Sequence, residues 1–318
     1  MRSRMVRVVE RQAPSKVLIA LRGNVGLNGL SREADAIIVS DRTGAQSAVV
    51  TIIDPSRKRG LFEPSELWRY REVVFFLAWR DFKVKYRQTY LGILWAMLQP
   101  LVAMSVFSIF FGKLAGISSN GAPYPLFVLC GLVPWSFFSR AVASMTGSLV
   151  RNQELVKRVY FPRLIIPIST MASCLTDMLV GFALLFAAML AFGSWPAPQA
   201  VFLPLFVLVM AASATGVGVA LSAINVRFRD VGYLLPFSLQ ILLFMTPIVY
   251  PANLVPQLWR PLYSLNPMVG TVEAIRWSVL GTPADWLMIS ISTLSSLALL
   301  VAGLTIFSKS ERAFPDLI

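Results

Sequence analysis

Long apolar runs separated by short charged segments dominate the sequence after residue 90. A helix needs about 20 mostly apolar residues to cross the hydrocarbon core of a bilayer. The pattern therefore predicts an all-α integral membrane protein with six transmembrane helices per chain. The predicted spans are Gly92–Phe111, Pro125–Val150, Leu164–Phe192, Ala200–Ile224, Tyr233–Val249 and Trp286–Phe307.

The sequence before the first predicted span has two parts. Residues 1–60 are polar and lack a period, which predicts a mobile cytoplasmic N-terminal tail with a short strand near Ala48–Ile53. Residues 61–91 mix bulky apolar residues with Arg and Lys and are too charged to span a membrane. They predict an amphipathic helix in the membrane interface. Residues 92–318 then form the transmembrane domain.

The segment between the last two predicted spans, Pro251–Asp285, is half apolar and interrupted by proline. Irregular backbone at membrane depth is tolerated only where it is buried in protein or lines a cavity. We therefore expect short external re-entrant helices here. An ordinary external loop that rests on the membrane is the alternative.

Composition and charge agree with a membrane protein and orient it. Apolar residues make up 56% of the chain and charged residues only 14%, against about 25% charged residues in soluble domains. If the N-terminus is cytoplasmic, 25 of the 29 Lys and Arg lie on the cytoplasmic side and three lie outside. The positive-inside rule thus predicts a cytoplasmic (inner) membrane location with both termini in the cytoplasm.

Several kinds of chemistry are missing from the sequence. The chain has no His, so it has no Ser/His/Asp triad, and no G-x-x-x-x-G-K-[ST] phosphate loop occurs. Its two cysteines, Cys130 and Cys174, lie in apolar runs, where they are expected as small core residues. We therefore expect a protein that is not an enzyme, binds no metal or cofactor itself and moves a substrate.

Two charges fall inside predicted spans, where they are costly and need an explanation. Arg140 and Asp177 lie on consecutive spans, so they could form a structural ion pair. Alternatively, Arg140 could face a polar conduit and contact an anionic substrate. The aromatic residues Trp135 and Phe138 lie close to Arg140. Aromatic faces stack on the C–H faces of sugars, although lipid contact or core packing explains such residues equally well.

Two charged segments on the predicted cytoplasmic side are candidates for contacts with partners. Residues 151–163 are short and charged, which suits either a solvated turn or a short helix that receives force from a soluble protein. The second segment is a basic cluster that directly precedes the first span. Its members are Arg80, Lys83, Lys85 and Arg87. The topology disfavours nucleic acid as its partner, and anchoring to anionic lipid explains it at minimum.

Five stretches, in order, resemble one known family. They are "ELWRYREVVFFLAWRDFKVKYRQTYLGILWAMLQP", "PYPLFVLCGLVPWSFFS", "LVRNQELVKRVYFPRLIIP", "NVRFRDV" and "SLNPM". Together they extend from residue 66 to about residue 310. The chain thus resembles the membrane permease subunit of type-2 ABC exporters of lipid-linked polysaccharides, which include the O-antigen, capsule and teichoic acid permeases.

The resemblance implies roles for several segments. Glu66–Arg87 would be the interfacial helix, and its basic cluster would meet the diphosphate of the lipid substrate. Leu254–Leu280 would contain the re-entrant helices. A coupling helix would dock on the ATPase, and its residues would be Asn152, Gln153, Glu154, Leu155, Val156, Lys157, Arg158 and Tyr160.

The resemblance also implies an assembly and a substrate. Two copies of the chain would form the conduit, and two separate ABC ATPase subunits would bind ATP and Mg²⁺. The expected function is export of a polyprenyl-diphosphate-linked polysaccharide of the O-antigen type. Capsular polysaccharide or teichoic acid is the alternative substrate, and efflux of a drug or lipid by the same fold is a further one. A membrane enzyme such as a glycan transferase is disfavoured by the missing His and clustered carboxylates.

Overall fold

The computed structural model describes residues 36–39, 48–51, 68–87, 92–158, 161–311 and 314. The chain divides into two compact units, Met1–Gly60 and Leu61–Ile318. In the first unit, strands β1 (Ala36–Val39) and β2 (Ala48–Thr51) pair antiparallel. Runs of β-branched residues favour this extended structure. The strand predicted near Ala48–Ile53 is thereby confirmed as β2, whereas β1 was not predicted.

The described part of the second unit is helical apart from its loops. Its helices are α1 (Arg71–Arg87), α2 (Gly92–Phe107), α3 (Tyr124–Thr146), α4 (Ser148–Arg151), α5 (Gln153–Arg158), α6 (Ile165–Ala191), α7 (Leu203–Arg227), α8 (Asp230–Phe244), α9 (Arg260–Tyr263), α10 (Pro267–Leu280) and α11 (Trp286–Ser310). A π-helical segment, Ser108–Leu114, continues α2. Short 3₁₀ helices occupy Pro198–Phe202, Ala252–Leu254 and Gln257–Trp259.

Five helical stretches in the described part of the chain are long and apolar enough to cross a membrane. They are Met97–Leu114, Tyr124–Thr146, Ile165–Ala191, Pro198–Arg227 and Trp286–Ser310, and each overlaps a predicted span. The remaining predicted span coincides with α8, an apolar helix of 15 residues. Pro247 follows closely and lacks the N–H that a continuing helix needs. The count of six spans therefore stays a prediction.

Helix α3 forms the centre of the helical unit. It packs against α2, α6, α7 and α10, and 78% of its most apolar 18-residue window is buried inside the chain. By contrast, only 6% of the span Met97–Leu114 is buried. The described chain therefore has its core around α3, while most of Met97–Leu114 is open to lipid or to another protein.

Helices α7 and α11 cross at backbone contact. The spacing of Ala212, Gly216 and Ala220 favours close packing within the chain, and the structure confirms this for Gly216. A Cβ atom added to Gly216 would lie 2.5 Å from the carbonyl carbon of Leu299. The opposing residue is Gly303, where an added Cβ would lie 2.0 Å from the Gly216 carbonyl oxygen. No larger side chain fits at this crossing without moving the helices.

The long helices α3 and α11 give the helical unit two distinct ends. At the "α5 end", the C-terminus of α3 leads into α4 and α5, and Glu311 after α11 bonds to Arg163. The opposite end, at the start of α3, is called the "α10 end". There Tyr124 donates a hydrogen bond to the Val249 carbonyl oxygen at 2.6 Å. The two ends carry different charged sites.

Candidate functional site

Helix α1 carries a row of aromatic side chains next to its basic residues. Phe75, Trp79 and Phe82 stack at ring-centroid distances of 6.4 and 5.4 Å. The Lys83 ammonium lies 5.5 Å from the centre of the Trp79 ring, within the range of a cation–π contact. Phe75 is 70% exposed. Exposed aromatic rings beside lysines are typical of helices that lie at a membrane surface, so the side chains fit the predicted interfacial helix.

Arg80 connects α1 to the segment predicted to couple to an ATPase. Its Nη2 atom donates to Oδ1 of Asp81 at 2.8 Å and to Oδ1 of Asn152 at 2.9 Å. Asn152 lies between α4 and α5, 72 residues further along the chain. The structure therefore brings together the predicted substrate entrance and the predicted coupling segment, two regions that the sequence separates.

Asp177 is the centre of an ionic network between four helices. Lys85 of α1 donates to its Oδ2 atom, and Nη1 of Arg140 lies 3.5 Å from the same oxygen. Arg140 also donates from Nη2 to Oε1 of Gln99 at 2.7 Å. The pairing of Arg140 with Asp177, one of the two alternatives left by the sequence, is thus present. Lys85, predicted at the substrate entrance, is an additional partner that sequence reasoning missed.

On its basic side this network reaches the surface of the chain. The side chains of Lys85 and Arg140 are 48% and 28% exposed, whereas that of Asp177 is 4% exposed. Beside Arg140 and Asp177 lies a cavity of about 20 Å³, also lined by Pro100 and Ser136. A volume of this size holds one water molecule. The network is therefore accessible to polar groups without being fully solvated.

The two aromatic conduit candidates have a different environment. Trp135 and Phe138 are 6% and 2% exposed, and the centroids of their rings lie 5.8 Å apart. Both belong to the large apolar core around α3. In the described chain both side chains are therefore surrounded by core residues, as expected if they serve packing. Their role in a conduit stays a prediction.

Asn152 initiates the predicted coupling helix. Its Nδ2 atom donates to the Ser148 carbonyl oxygen at 2.9 Å, and its own carbonyl accepts from the backbone N–H groups of Leu155 and Val156. The helix that follows is α5, Gln153–Arg158. The predicted coupling segment is thus helical at its centre, and Tyr160 lies outside the described residues.

Helix α5 has one apolar and one polar face. Val156 packs against an apolar cluster that contains Met145, Leu149, Ile166, Val219, Ala223, Val226, Phe307 and Phe314. Gln153, Glu154 and Lys157 are exposed on the other face. A short helix of this kind presents polar side chains outward while its inner face is fixed to the ends of α3, α6, α7 and α11.

A second contact at this end was not expected from the sequence. The backbone N–H of Arg163 donates to Oε1 of Glu311 at 3.3 Å, and its guanidinium donates to the Glu311 carbonyl oxygen. The guanidinium carbon also lies 6.0 Å from the centre of the Phe314 ring. This contact joins the start of α6 to the end of α11 across 148 residues, a separation at which sequence patterns carry no signal.

Arg276 dominates the α10 end. The sequence predicts that this residue lies in a segment on the external side, and the structure shows that its side chain is fully buried inside the protein. Its guanidinium donates to the carbonyl oxygens of Phe127 and Ile248 at 3.3 and 2.7 Å, and to Oε1 of Glu273 at 3.2 Å. Burial lowers the pKa of the guanidinium and the Glu273 carboxylate opposes that shift. Since arginine normally titrates far above neutral pH, the side chain stays charged.

Metal ligands do not cluster in the part of the chain that the structure describes. No group of three or more Cys, Asp or Glu side chains gathers there in a geometry that could hold an ion.

Comparison with known proteins identifies relatives along most of the chain. A family model described as "ABC-2 type transporter" matches residues 72–280. The chain is 30% identical to the O-antigen export system permease protein RfbA of Myxococcus xanthus over 258 residues, which cover 80% of this chain and 98% of that protein.

Two further relatives have similar coverage. An O-antigen export system permease protein RfbA of Klebsiella pneumoniae is 25% identical over 75% of this chain and 92% of that protein. The polysialic acid transport protein KpsM of Escherichia coli is 26% identical over 74% of this chain and 92% of that protein.

Proposed function

The chain belongs to the ABC-2 type transporter family, and on this basis we propose that it is the permease subunit of an ATP-driven exporter of a polyprenyl-diphosphate-linked polysaccharide of the O-antigen type. The family and the apolar helices make it a multi-pass membrane protein. Its likeness to an O-antigen export permease along nearly the whole length of that relative supports the substrate class. The observation that carries the mechanism is the contact of basic helix α1 with both Asn152 and Asp177.

The proposal includes a topology. The protein has six spans in the cytoplasmic (inner) membrane, with α8 and the residues that follow it as the fifth span. Both termini and the α5 end face the cytoplasm, in line with the basic residues concentrated there. Helix α1 lies in the inner interface. Helices α9 and α10 are re-entrant at the external side, where the burial of α10 supports their position inside protein.

The basic cluster of α1 receives the diphosphate of the lipid-linked substrate. Lys83 and Lys85 are exposed on α1, and Arg80 is half-exposed. Lysine and arginine form strong charge-assisted hydrogen bonds with phosphate oxygens. Lys85 and Arg140 share one carboxylate, that of Asp177. An arriving diphosphate can therefore replace Asp177 as their counter-ion without leaving either cation unpaired.

Force from ATP reaches this entrance through α5. Two copies of the chain and two separate ABC ATPase subunits form the transporter, and the ATPases bind ATP and Mg²⁺. The polar face of α5 contacts the ATPase, while Val156 and Asn152 connect α5 to the helix ends and to Arg80 of α1. A displacement of α5 thus moves α1. The open surface of α2 is available to the second copy.

A capsular polysaccharide is the second candidate substrate. It rests on the likeness to the polysialic acid transport protein KpsM, which covers nearly as much of the chain as the likeness to the Klebsiella RfbA protein. Both candidates share a long glycan on a lipid anchor, so the same entrance serves either.

Gene deletion tests the proposed function. We expect loss of one surface polysaccharide and accumulation of its lipid-linked form on the cytoplasmic side, both reversed by the wild-type gene. As a control, a partner ATPase with an inactive ATP site should reproduce the deletion. Unchanged surface glycans, combined with lost efflux of a hydrophobic drug, would contradict the proposal.

A further inference from the structure

A pocket of about 380 Å³ lies at the α10 end of the helical unit. Its lining residues come from four separate parts of the chain. They are Asn120, Ala252, Asn253, Arg260, Glu273, Pro283, Ala284, Asp285, Trp286 and Met288. The volume falls within the range of about 300–1,000 Å³ that small-molecule sites occupy. None of the predicted entrance, coupling or conduit residues lines this pocket.

The polar wall of the pocket is held in place by hydrogen bonds. Nδ2 of Asn253 donates to Oδ1 of Asn120 at 3.3 Å. Arg260 donates to Asp285 at 3.2 Å and to the carbonyl oxygens of Val255 and Asn253 at 3.0 and 3.2 Å. Asn120 has a positive φ of 56°, a conformation that non-glycine residues seldom adopt. The wall is therefore preformed and does not depend on a ligand to order it.

The charges around the pocket cancel in pairs. Arg260 faces Asp285, and Glu273 forms an ion pair with the buried Arg276 behind the wall. A phosphate or another anion would find no uncompensated cation among these four residues. The pocket thus favours a neutral ligand that both donates and accepts hydrogen bonds.

Trp286 adds an apolar surface to this polar wall. Its ring packs edge-to-face on Trp277 at 4.9 Å, which restricts its rotation, while 54% of the residue remains exposed. The face of an aromatic ring is electronegative and attracts polarised C–H groups. The Trp286 ring, held by Trp277, can stack on the C–H groups of a ligand ring. The neighbouring amide, carboxylate and guanidinium groups can bind hydroxyl groups at the edge of that ring.

We infer that this pocket binds a neutral saccharide unit, through stacking on Trp286 and hydrogen bonds to Asn120, Asn253, Arg260 and Asp285. The identity of that saccharide as part of the exported glycan rests on the proposed function. Helix α11 has 25 residues, so the pocket at its first residue is separated from the α5 end by about 37 Å at 1.5 Å per residue. On the proposed topology the pocket lies at the external side, where it contacts a glycan that has already crossed, and binding there opposes its return.

Binding to the full-length permease in lipid nanodiscs, without the ATPase, tests the inference. The probe is short neutral oligosaccharide cut from the delipidated surface polysaccharide of the producing cells. Saturation-transfer NMR measures the dissociation constant. Trp286→Ala and Asn253→Ala should each weaken binding by about tenfold, as expected for loss of one anchoring contact. Trp286→Phe should retain most of the affinity because it keeps an aromatic face.

Trp259→Ala is the matched control, because Trp259 is also exposed, at 57%, but does not line the pocket. It should bind like the wild type. Absence of saturable binding by the wild type, or equal affinity of Asn253→Ala and the wild type, would overturn the inference. Gene deletion distinguishes failure of the pocket inference from failure of the proposed export function. Normal export without oligosaccharide binding refutes only the pocket, and binding with unchanged surface glycan after deletion refutes only the proposed function.

Discussion

Two clusters of charge lie near opposite ends of α3, and they differ in how far they reach the surface of the chain. Arg276 is fully buried and Glu273, which lies at the edge of the pocket, is 5% exposed, so their ion pair is almost closed off. In the other cluster Asp177 is nearly as well hidden, but Lys85 and Arg140 reach the surface of the chain. The chain thus contains one buried ion pair, Glu273 with Arg276, and one partly exposed ionic cluster, Asp177 with Lys85 and Arg140.

The difference separates a structural site from a site that can exchange partners. The buried guanidinium of Arg276 donates to two carbonyl oxygens and one carboxylate, and a ligand cannot reach it to replace these acceptors. Breaking such a buried pair is costly. Cations at the surface of the chain can be reached by a ligand without opening the core. The difference supports a structural role for Arg276 and is in line with the proposed substrate contact of Lys85 and Arg140.

The largest effect is expected for Arg276→Met. The substitution leaves the Glu273 carboxylate and the carbonyl oxygens of Phe127 and Ile248 buried without their donor. The protein should lose about 3–5 kcal/mol of unfolding free energy, the usual cost of breaking a buried pair. Thermal unfolding of the purified protein in detergent, together with the yield in the membrane, measures the loss.

The double variant Glu273→Gln/Arg276→Met is the control for this prediction. It removes both charges, so it should recover part of the lost stability. If the single and double variants unfold at the same temperature, the pair does not act as the sealed unit described here.

The helices and their order follow largely from hydropathy. Each apolar run of sufficient length forms a helix within about three residues of its predicted start, because a chain in lipid must satisfy its backbone hydrogen bonds internally. The family resemblance implied the coupling helix, and α5 lies inside that segment. Local pattern alone was sufficient for the long helices but left this segment open between a turn and a helix.

Contacts between distant residues account for what the sequence could not predict. Lys85 and Asp177 are 92 residues apart, and Arg276 donates to a carbonyl 149 residues away. A backbone carbonyl has no residue-specific signature, so no pattern marks Arg276 as buried. Gly303 was likewise missed, since its role depends on Gly216 of another helix.

A smaller loss of stability, with a larger loss of export, is expected for Asp177→Asn. Lys85 and Arg140 remain partly exposed at the surface of the chain, so the cost should be about 1 kcal/mol. Export should fall further than stability, because two cations that no longer share a carboxylate hold the diphosphate more tightly and delay its release. ATP-dependent transport into inverted vesicles, measured beside thermal unfolding, separates the two effects.

A double-mutant cycle with Lys85→Gln isolates the pair in this second cluster. The coupling energy between Lys85 and Asp177 should be below about 1 kcal/mol for stability. A coupling as large as that from the matching cycle of Glu273→Gln, Arg276→Met and their double variant would show that both clusters are structural and would remove the distinction between them.

The smallest change in stability is expected for Asn152→Ala, which removes one of the two acceptors of Arg80 and the donor to the Ser148 carbonyl oxygen. Because the Arg80 side chain is 37% exposed, water replaces the lost bond and the cost should stay below about 1 kcal/mol. ATP hydrolysis should continue while export per ATP falls, since α5 no longer moves α1. Asn152→Asp keeps an acceptor for Arg80 and should restore export. If the alanine variant exports as much per ATP as the wild type, the contact between Asn152 and Arg80 does not transmit the movement of α5. The apolar contact of Val156 would then be the remaining connection between α5 and the helices around Asp177.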